Sequence, residues 1–145
     1  MGHDHSKILV AIDGSDQSFV ATQKAAVLAS QFDSELIIIS VVNDFSNMVS
    51  EEEAEQIYEY SSRALRDDLE RFEKAAKSLG ANRVSRHVIK GDPRHAIIDF
   101  ANEHDVGLIV IAATGKGRVQ RALLGSVSEY VMHHAKCDVY LCHKV

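Results

Sequence analysis

Short, nearly continuous apolar runs alternate along this chain with longer stretches in which apolar residues recur every three or four positions. Apolar runs bounded by turn residues are typical of strands buried on both faces of a parallel sheet, whereas a three- to four-residue spacing is typical of helices. The pattern predicts strands at residues 7–12, 35–42, 84–90, 106–113 and 137–142. Helices are predicted between them: one with Ala21, Ala25, Leu28 and Phe32 on one side, one over 51–78, one that begins at Pro93, and one over 126–135.

Residues that favour helix ends support these boundaries. Asp92 is a good N-cap, and Pro93 suits the first helical position. Gly80 is well placed to end the long helix as its C-cap. Two helices have a predicted packing side: Leu65, Leu69, Phe72, Ala76 and Leu79 in the long helix, and Val127, Tyr130, Val131 and His134 in the last one.

The order of these elements is βαβαβαβαβ, which predicts an α/β fold: one open five-stranded parallel sheet with helices on both faces. No internal repeat, low-complexity segment or linker interrupts the pattern, so we expect one domain over residues 7–145. Residues 1–6, which include His3 and His5, are expected to be disordered or tag-derived rather than a native metal site. No other set of His, Cys or Asp residues has metal-ligand spacing, so no protein metal site is predicted.

Composition narrows the possible functions. The 145 residues are 46% hydrophobic, which is enough apolar material for a core without disulfides or metal. The formal net charge of −5 argues against broad electrostatic binding to nucleic acid or to an anionic membrane. The chain has no apolar run of 18 residues and no signal-peptide core near its N-terminus, so by elimination we expect a cytoplasmic protein.

The two cysteines are predicted to be structural thiols rather than a redox or metal-binding pair. Cys137 and Cys142 are five positions apart. In a strand this odd spacing places them on opposite faces, where they cannot bridge each other. Unbridged thiols also fit a reducing compartment.

The strongest candidate for a ligand site is the segment 112–126, AATGKGRVQRALLGS, after the fourth strand. Gly115 and Gly117 allow backbone amides to approach a ligand closely. Gly125 and Ser126 begin a helix whose first amides have no intrahelical partner and favour a phosphate. Positive charge is supplied by Lys116, Arg118 and Arg121. On spacing alone, the segment fits a structural loop with a helix cap as well as it fits an anion site.

This segment differs from two well-known phosphate loops. A Walker A loop has Ser or Thr directly after its lysine, whereas Gly117 follows Lys116 here. The Rossmann fingerprint would follow the first strand rather than the fourth.

Asp13, at the end of the first strand, is a second candidate. Aspartate is common in strand-to-helix turns, where it only caps backbone amides. In an open parallel sheet, however, ligands bind beyond the carboxyl ends of the strands, where the strand order reverses. We predict that the first and fourth strands are neighbours, which would bring Asp13 beside the segment 112–126. Their combination favours a carboxylate that accepts a hydrogen bond from a ribose hydroxyl or a base amino group.

Three segments together resemble the universal stress protein family: KILVAIDGSDQS, IIISVV and TGKGRVQRALLGSVSEYV. The resemblance extends from Lys7 to Val145 and implies a Rossmann-like sheet of the adenine nucleotide α-hydrolase type. ATP-binding members of this family have the pattern glycine, two residues, glycine, nine residues, glycine, then serine or threonine. Gly115, Gly125 and Ser126 match it, whereas Ala112 occupies the position of the first glycine.

The resemblance implies that ATP is bound between the ends of the first and fourth strands. It assigns phosphate contacts to Gly115, Gly125 and Ser126, and it implies that Mg²⁺ or Mn²⁺ is held mainly through the phosphates. Adenosine contacts fall on Ala11, Asp13 and the backbone of Val41. With the loop composition added, the predicted binding residues are Ala11, Asp13, Val41, Ala112, Thr114, Gly115, Gly117, Arg118, Gly125, Ser126 and Val127.

The functional prediction is therefore a nucleotide-binding regulatory protein of the stress response. We find no general base, so we assign no catalytic residue and expect at most slow ATP hydrolysis. Two alternatives remain open: an interaction module that binds no nucleotide, and an ATP hydrolase. The resemblance also implies a homodimer formed through the last strand, from Asp138 to Cys142.

Overall fold

A computed structural model describes residues 4–114 and 124–143. In this part of the chain, strands and helices alternate as the sequence pattern predicts. The elements are β1 (Lys7–Ile12), α1 (Asp16–Phe32), β2 (Glu35–Val42), α2 (Glu51–Ser78), β3 (Arg83–Lys90), α3 (Pro93–Glu103), β4 (Leu108–Ala112), α4 (Ser126–His134) and β5 (Asp138–Cys142).

The described strands form one parallel sheet in the order β3-β2-β1-β4-β5. The predicted fold class is therefore confirmed, including the pairing of β1 with β4, in which Ile8 lies opposite Leu108 and Val10 opposite Val110. The chain passes outward from β1 through β2 to β3, and then crosses back to β4 on the other side. The strand order thus reverses between β1 and β4, and β5 lies at a sheet edge.

Helices cover both faces of the sheet. Helices α1 and α2 pack on one face, over a core that includes Ile8, Leu36, Ile38, Leu69 and Phe72. Helices α3 and α4 pack on the other face, over a core that includes Leu9, Ile37, Ile97, Ile109 and Val131. Consecutive residues of β1 and β2 enter opposite cores, which explains their unbroken apolar sequences. No helix in the described ranges is long and apolar enough to cross a membrane.

Two differences from the sequence prediction have a clear structural reason. Strand β4 begins at Leu108 instead of residue 106, because the Val106 amide donates to the Ala101 carbonyl and thereby closes the end of α3. Leu79 is 40% exposed instead of buried, because α2 ends at Ser78 and Leu79 is its C-cap. Gly80 follows with a φ of +103°, the left-handed conformation that a glycine adopts after a helix end.

The last helix packs differently from the predicted side. Val131 and Ser128 are buried, while Val127 is half-buried. Tyr130 and His134 do share one side, but their rings stack at 3.9 Å between centroids at the surface, and His134 is exposed.

The cysteines lie on opposite sides of the sheet, as their spacing predicts. Cys142 belongs to the core under α1 and α2, whereas Cys137 packs at the core under α3 and α4. Neither forms a disulfide. Burial raises the pKa of both thiols, which keeps them in the protonated, less nucleophilic form.

Residues 4–6 lie against the amino end of the sheet. The Glu35 amide donates to the Ser6 carbonyl at 2.9 Å, and His5 Nε2 lies 3.0 Å from the Asp138 carboxylate of β5. The Asp4 carbonyl passes so close to Gly107 that a side chain there would have no space. Residues 1–3 lie outside the described part of the chain, and the domain boundary at residue 7 stays a prediction.

Candidate functional site

A cleft of about 290 Å³ opens at the carboxyl ends of β1 and β4, where the strand order reverses. Here α1 leaves β1 toward one face of the sheet, and α4 packs on the other face. This divergence leaves a crevice between the two strand ends, the position at which open α/β sheets bind ligands.

The predicted binding residues that the structure describes all line this cleft. They are Ala11, Asp13, Val41, Ala112, Thr114, Gly125, Ser126 and Val127. The other predicted positions, Gly115, Gly117 and Arg118, lie outside the described residues. Segments that are about 100 residues apart in the chain therefore meet at one crevice, because β1 pairs with β4.

Side chains of the turn from β1 into α1 accept hydrogen bonds from its own backbone amides. Asp13 Oδ1 accepts a hydrogen bond from the Ser15 amide at 3.0 Å, and Ser15 Oγ accepts one from the Ser18 amide at 3.1 Å. Gly14 between them has a φ of +82°, which favours glycine, and a side chain there would displace the Asp68 carboxylate of α2. Asp13 is thus held at the cleft by a tight, internally bonded turn.

The start of α4 is built differently. Gly125 is its N-cap, with φ −78° and ψ 160°, and no side chain of the described residues caps the helix. In contrast, Ser15, Ser50 and Asp92 cap α1, α2 and α3 through side-chain oxygens. An uncapped N-terminus presents free amides and the positive end of the helix dipole. At α4, the residues of this first turn line the cleft.

Four apolar residues that sequence reasoning missed also line the cleft: Ile12, Ile111, Pro93 and Ile97. We call them the apolar wall. Ser18 and Ser128 line the cleft as well. Pro93 and Ile97 come from α3, which follows the edge strand β3. The capping pattern at Asp92 and Pro93 was a usable signal for the start of α3, but its place at the cleft depends on the strand order.

Asp92 fixes the start of α3 beside the cleft. Its carboxylate accepts from the Arg94 amide at 2.9 Å and also pairs with the Arg94 guanidinium. These hydrogen bonds from Arg94 hold the pKa of Asp92 below its ordinary value, so the cap stays ionised. The adjacent Gly91 amide donates to the Val42 carbonyl at 2.9 Å, which ties this turn to the end of β2.

The cleft thus combines an apolar wall, one carboxylate and an uncapped helix N-terminus. Such a set suits a molecule with a flat apolar part, hydroxyl groups and an anionic end. Among the described residues, no three His, Cys, Asp or Glu side chains are grouped so that they could hold a metal ion.

Comparison with known proteins places this fold in a family. The family model described as "Universal stress protein family" matches residues 5–143. The universal stress protein MJ0531 of Methanocaldococcus jannaschii is 34% identical over 142 residues, which cover 97% of this chain and 83% of that protein.

Solved structures show the same architecture. A universal stress protein in complex with cAMP superposes with a TM-score of 0.76 at 25% identity, covering 96% of this chain and 97% of its own. The hypothetical protein MJ0577 superposes with a TM-score of 0.85 at 22% identity, covering 97% of both chains. The chain therefore belongs to the universal stress protein family.

Proposed function

We propose that this protein binds ATP in the cleft between the ends of β1 and β4 and acts as a nucleotide-binding regulator. The adenosine would lie against the apolar wall, with Asp13 accepting a hydrogen bond from the ribose or the base. The phosphates would lie at the first turn of α4, near Gly125 and Ser126. The proposal extends to Gly115, Gly117 and Arg118, which lie outside the described residues.

The observation that carries this proposal is the uncapped start of α4. Of the four described helices it is the one without a side-chain cap, and its first turn lines the cleft. Relative to a glycine N-cap, a capping serine or aspartate stabilises a helix by only about 0.3 kcal/mol. An uncapped N-terminus that faces a cleft is suited to a ligand phosphate, which would satisfy the same amides.

A relative supports the choice of an adenine nucleotide. The universal stress protein solved with cAMP shares 25% of its sequence with this chain over nearly the whole length. Adenine, ribose and phosphate match the apolar wall, Asp13 and the start of α4 respectively. The choice of ATP over a monophosphate rests on the family resemblance and on the positive charge that the sequence supplies between residues 115 and 123.

Any Mg²⁺ or Mn²⁺ would be coordinated mainly by the phosphates. Among the described residues, no three His, Cys, Asp or Glu side chains are grouped to hold a metal ion, and Asp13 Oδ1 already accepts the Ser15 amide. A hard cation that keeps several waters binds readily in this way. Among the lining residues that the structure describes, none is a histidine or a lysine, and Asp13 Oδ1 accepts the Ser15 amide, so we expect at most slow turnover.

Calorimetry tests the proposal, together with mass spectrometry of any ligand released from the purified protein. We expect heat on titration with ATP and Mg²⁺, and loss of that heat in Gly125→Val. A Cβ atom at Gly125 would lie 3.5 Å from the Ala113 carbonyl oxygen, which is an ordinary contact distance. Alanine therefore fits at this position, whereas we expect the larger valine to crowd the backbone around Ala113. Circular dichroism controls for folding of the variant. A wild-type protein that carries no nucleotide and gives no heat would contradict the proposal.

The proposal includes a homodimer formed through β5. An edge strand leaves backbone donors and acceptors unpaired, which invites pairing with a second chain. Tyr140 of β5 is 40% exposed and shares a crevice of about 410 Å³ with Val20 and Val27 of α1. These features support an apolar contact beside the strand pairing.

Light scattering after size-exclusion chromatography measures the oligomeric state. We expect a dimer for the wild type and a shift toward monomer for Tyr140→Lys. Tyr60→Lys is the matched control, because Tyr60 is an 80% exposed tyrosine on α2, away from β5. A monomer mass for the wild type would contradict the dimer while leaving nucleotide binding open.

A further inference from the structure

Ser128, on the first turn of α4, has a buried hydroxyl that joins two parts of the cleft. Ser128 is only 2% exposed. Its Oγ lies 2.8 Å from the Ala113 carbonyl oxygen and 3.0 Å from the Gly125 carbonyl oxygen. The single hydroxyl proton is therefore shared between two backbone acceptors on different segments.

These bonds meet at the base of the loop between β4 and α4. The Gly125 amide donates to the same Ala113 carbonyl at 2.7 Å, and the Ala113 amide donates to the Cys142 carbonyl of β5 at 2.8 Å. Residues on both sides of the stretch 115–123 are thus joined to each other and to the sheet. The first turn of α4 is held at a fixed distance from the end of β4.

We propose that Ser128 is a positioning residue for phosphate binding: its hydroxyl fixes the uncapped amides of α4 where a ligand phosphate meets them. This inference rests on the nucleotide-binding function proposed above. Because the hydroxyl proton is engaged by carbonyls, Ser128 acts through Gly125 and Ser126 rather than as a phosphate donor. Preorganised amides cost less to order when the ligand arrives, which raises affinity.

We expect removal of the hydroxyl to leave the fold intact. In Ser128→Ala, the Ala113 carbonyl keeps its bond from the Gly125 amide, and the Gly125 carbonyl keeps its bond from the Glu129 amide at 3.0 Å. Neither acceptor is left buried without a partner, which is the costly outcome of deleting a hydrogen-bonding group. The main effect is on the position of the first turn of α4.

The test compares ATP with adenosine, which lacks phosphates, by calorimetry on the full chain. We expect Ser128→Ala to weaken ATP binding about fivefold, the equivalent of one net hydrogen bond, and to leave adenosine binding unchanged. Ser128→Thr retains the hydroxyl and should restore ATP binding to within about twofold of the wild type. Ser62→Ala is the matched control, since Ser62 is a 1% exposed serine on α2 without a hydrogen-bond partner among the described residues.

Three outcomes overturn the inference in distinguishable ways. Equal losses for ATP and adenosine in Ser128→Ala would mean a general loosening of the cleft. Unchanged ATP binding in Ser128→Ala would mean that the hydroxyl does not position the helix. A wild-type protein that binds neither ligand would refute the proposed function itself. If Ser128→Ala does not fold, Ser128→Cys replaces it, because cysteine is close to serine in volume and is only a weak hydrogen-bond donor. We expect the same result for this variant: weaker ATP binding and unchanged adenosine binding.

Discussion

Helices α1 and α4 both begin at the cleft, but they differ in how the amides of their first turns are capped. At α1, the Ser15 side chain caps the helix and Asp13 accepts the Ser15 amide, so the turn is satisfied internally. At α4, Gly125 has no side chain, and the first turn lacks a side-chain cap. Both starts follow strands at the centre of one sheet, so the sheet itself does not cause the difference.

Because of this difference in capping, we expect the start of α1 to contribute mainly to stability and the start of α4 mainly to ligand binding. A capped helix start contributes to the free energy of unfolding and has little left to offer a ligand. A start with glycine as its N-cap gives up only about 0.3 kcal/mol of that stability and keeps its amides for an anion. We therefore expect substitutions at α1 to change mainly stability and substitutions at α4 to change mainly affinity.

The largest expected effect comes from giving α4 the cap that it lacks. Gly125→Asp introduces a good N-cap at a position whose backbone already has N-cap geometry, with space for a first side-chain atom. We expect the free energy of unfolding to rise by about 0.5 kcal/mol. ATP affinity should fall about 100-fold, because the carboxylate occupies the amides and repels phosphate.

Gly125→Asn is the matched control for charge. It offers the same capping oxygen without the negative charge, so we expect a smaller loss of ATP affinity than for aspartate. Chemical denaturation and calorimetry measure the two quantities. ATP affinity that stays at the wild-type value in Gly125→Asp would contradict the claim that the uncapped amides of α4 bind the phosphates.

The second effect concerns the carboxylate at the end of β1. In Asp13→Asn, an amide oxygen can still accept the Ser15 amide, which preserves the turn. The negative charge and one acceptor are lost, and we expect nucleotide affinity to fall about fivefold to tenfold. Equal affinities of the variant and the wild type for adenosine would exclude Asp13 from nucleoside recognition.

The third effect should appear in stability alone. Ser15→Ala removes the cap of α1, and we expect the free energy of unfolding to fall by about 1 kcal/mol while ATP affinity stays constant. Urea denaturation measures the free energy of unfolding, and calorimetry measures the ATP affinity. A large loss of affinity here would show that the turn after β1 is part of the binding surface, contrary to the contrast drawn above.

The smallest effect is expected at Ala112, the last residue of β4, which lines the cleft. Ala112→Gly removes one methyl group at the position where the family pattern has glycine. We expect ATP affinity to rise about twofold to threefold. Stability should fall by about 0.5–1 kcal/mol, because glycine in a strand loses more conformational freedom on folding. An unchanged or lower affinity would show that this methyl group does not restrict the nucleotide.

Most of the fold could be predicted from the sequence, since local pattern and burial agree. The apolar runs of β1 and β2 match strands buried on both faces, and Asp92 with Pro93 marks the start of α3. The beginning of β4 could not be predicted. It depends on a bond from the Val106 amide to Ala101, which no periodicity reveals.

The candidate site was predicted less completely. Asp13 and Gly125 were found because turn chemistry and a family resemblance identify them locally. Pro93, Ile97 and Ser128 were missed as cleft residues, because their roles depend on which segments the strand order brings together. Ser128 looks like an ordinary helical serine until its bonds to Ala113 and Gly125 are seen.

The most direct test of the central claim is an amide chemical-shift titration of the ¹⁵N-labelled protein with ATP and Mg²⁺. We predict saturable shifts that are largest at the amides of Gly125, Ser126 and Val127, with smaller ones at Asp13 and none at Glu35, at the opposite end of the sheet. No shifts at millimolar ATP, or shifts that are largest away from the ends of β1 and β4, would contradict the claim that the uncapped start of α4 binds a nucleotide.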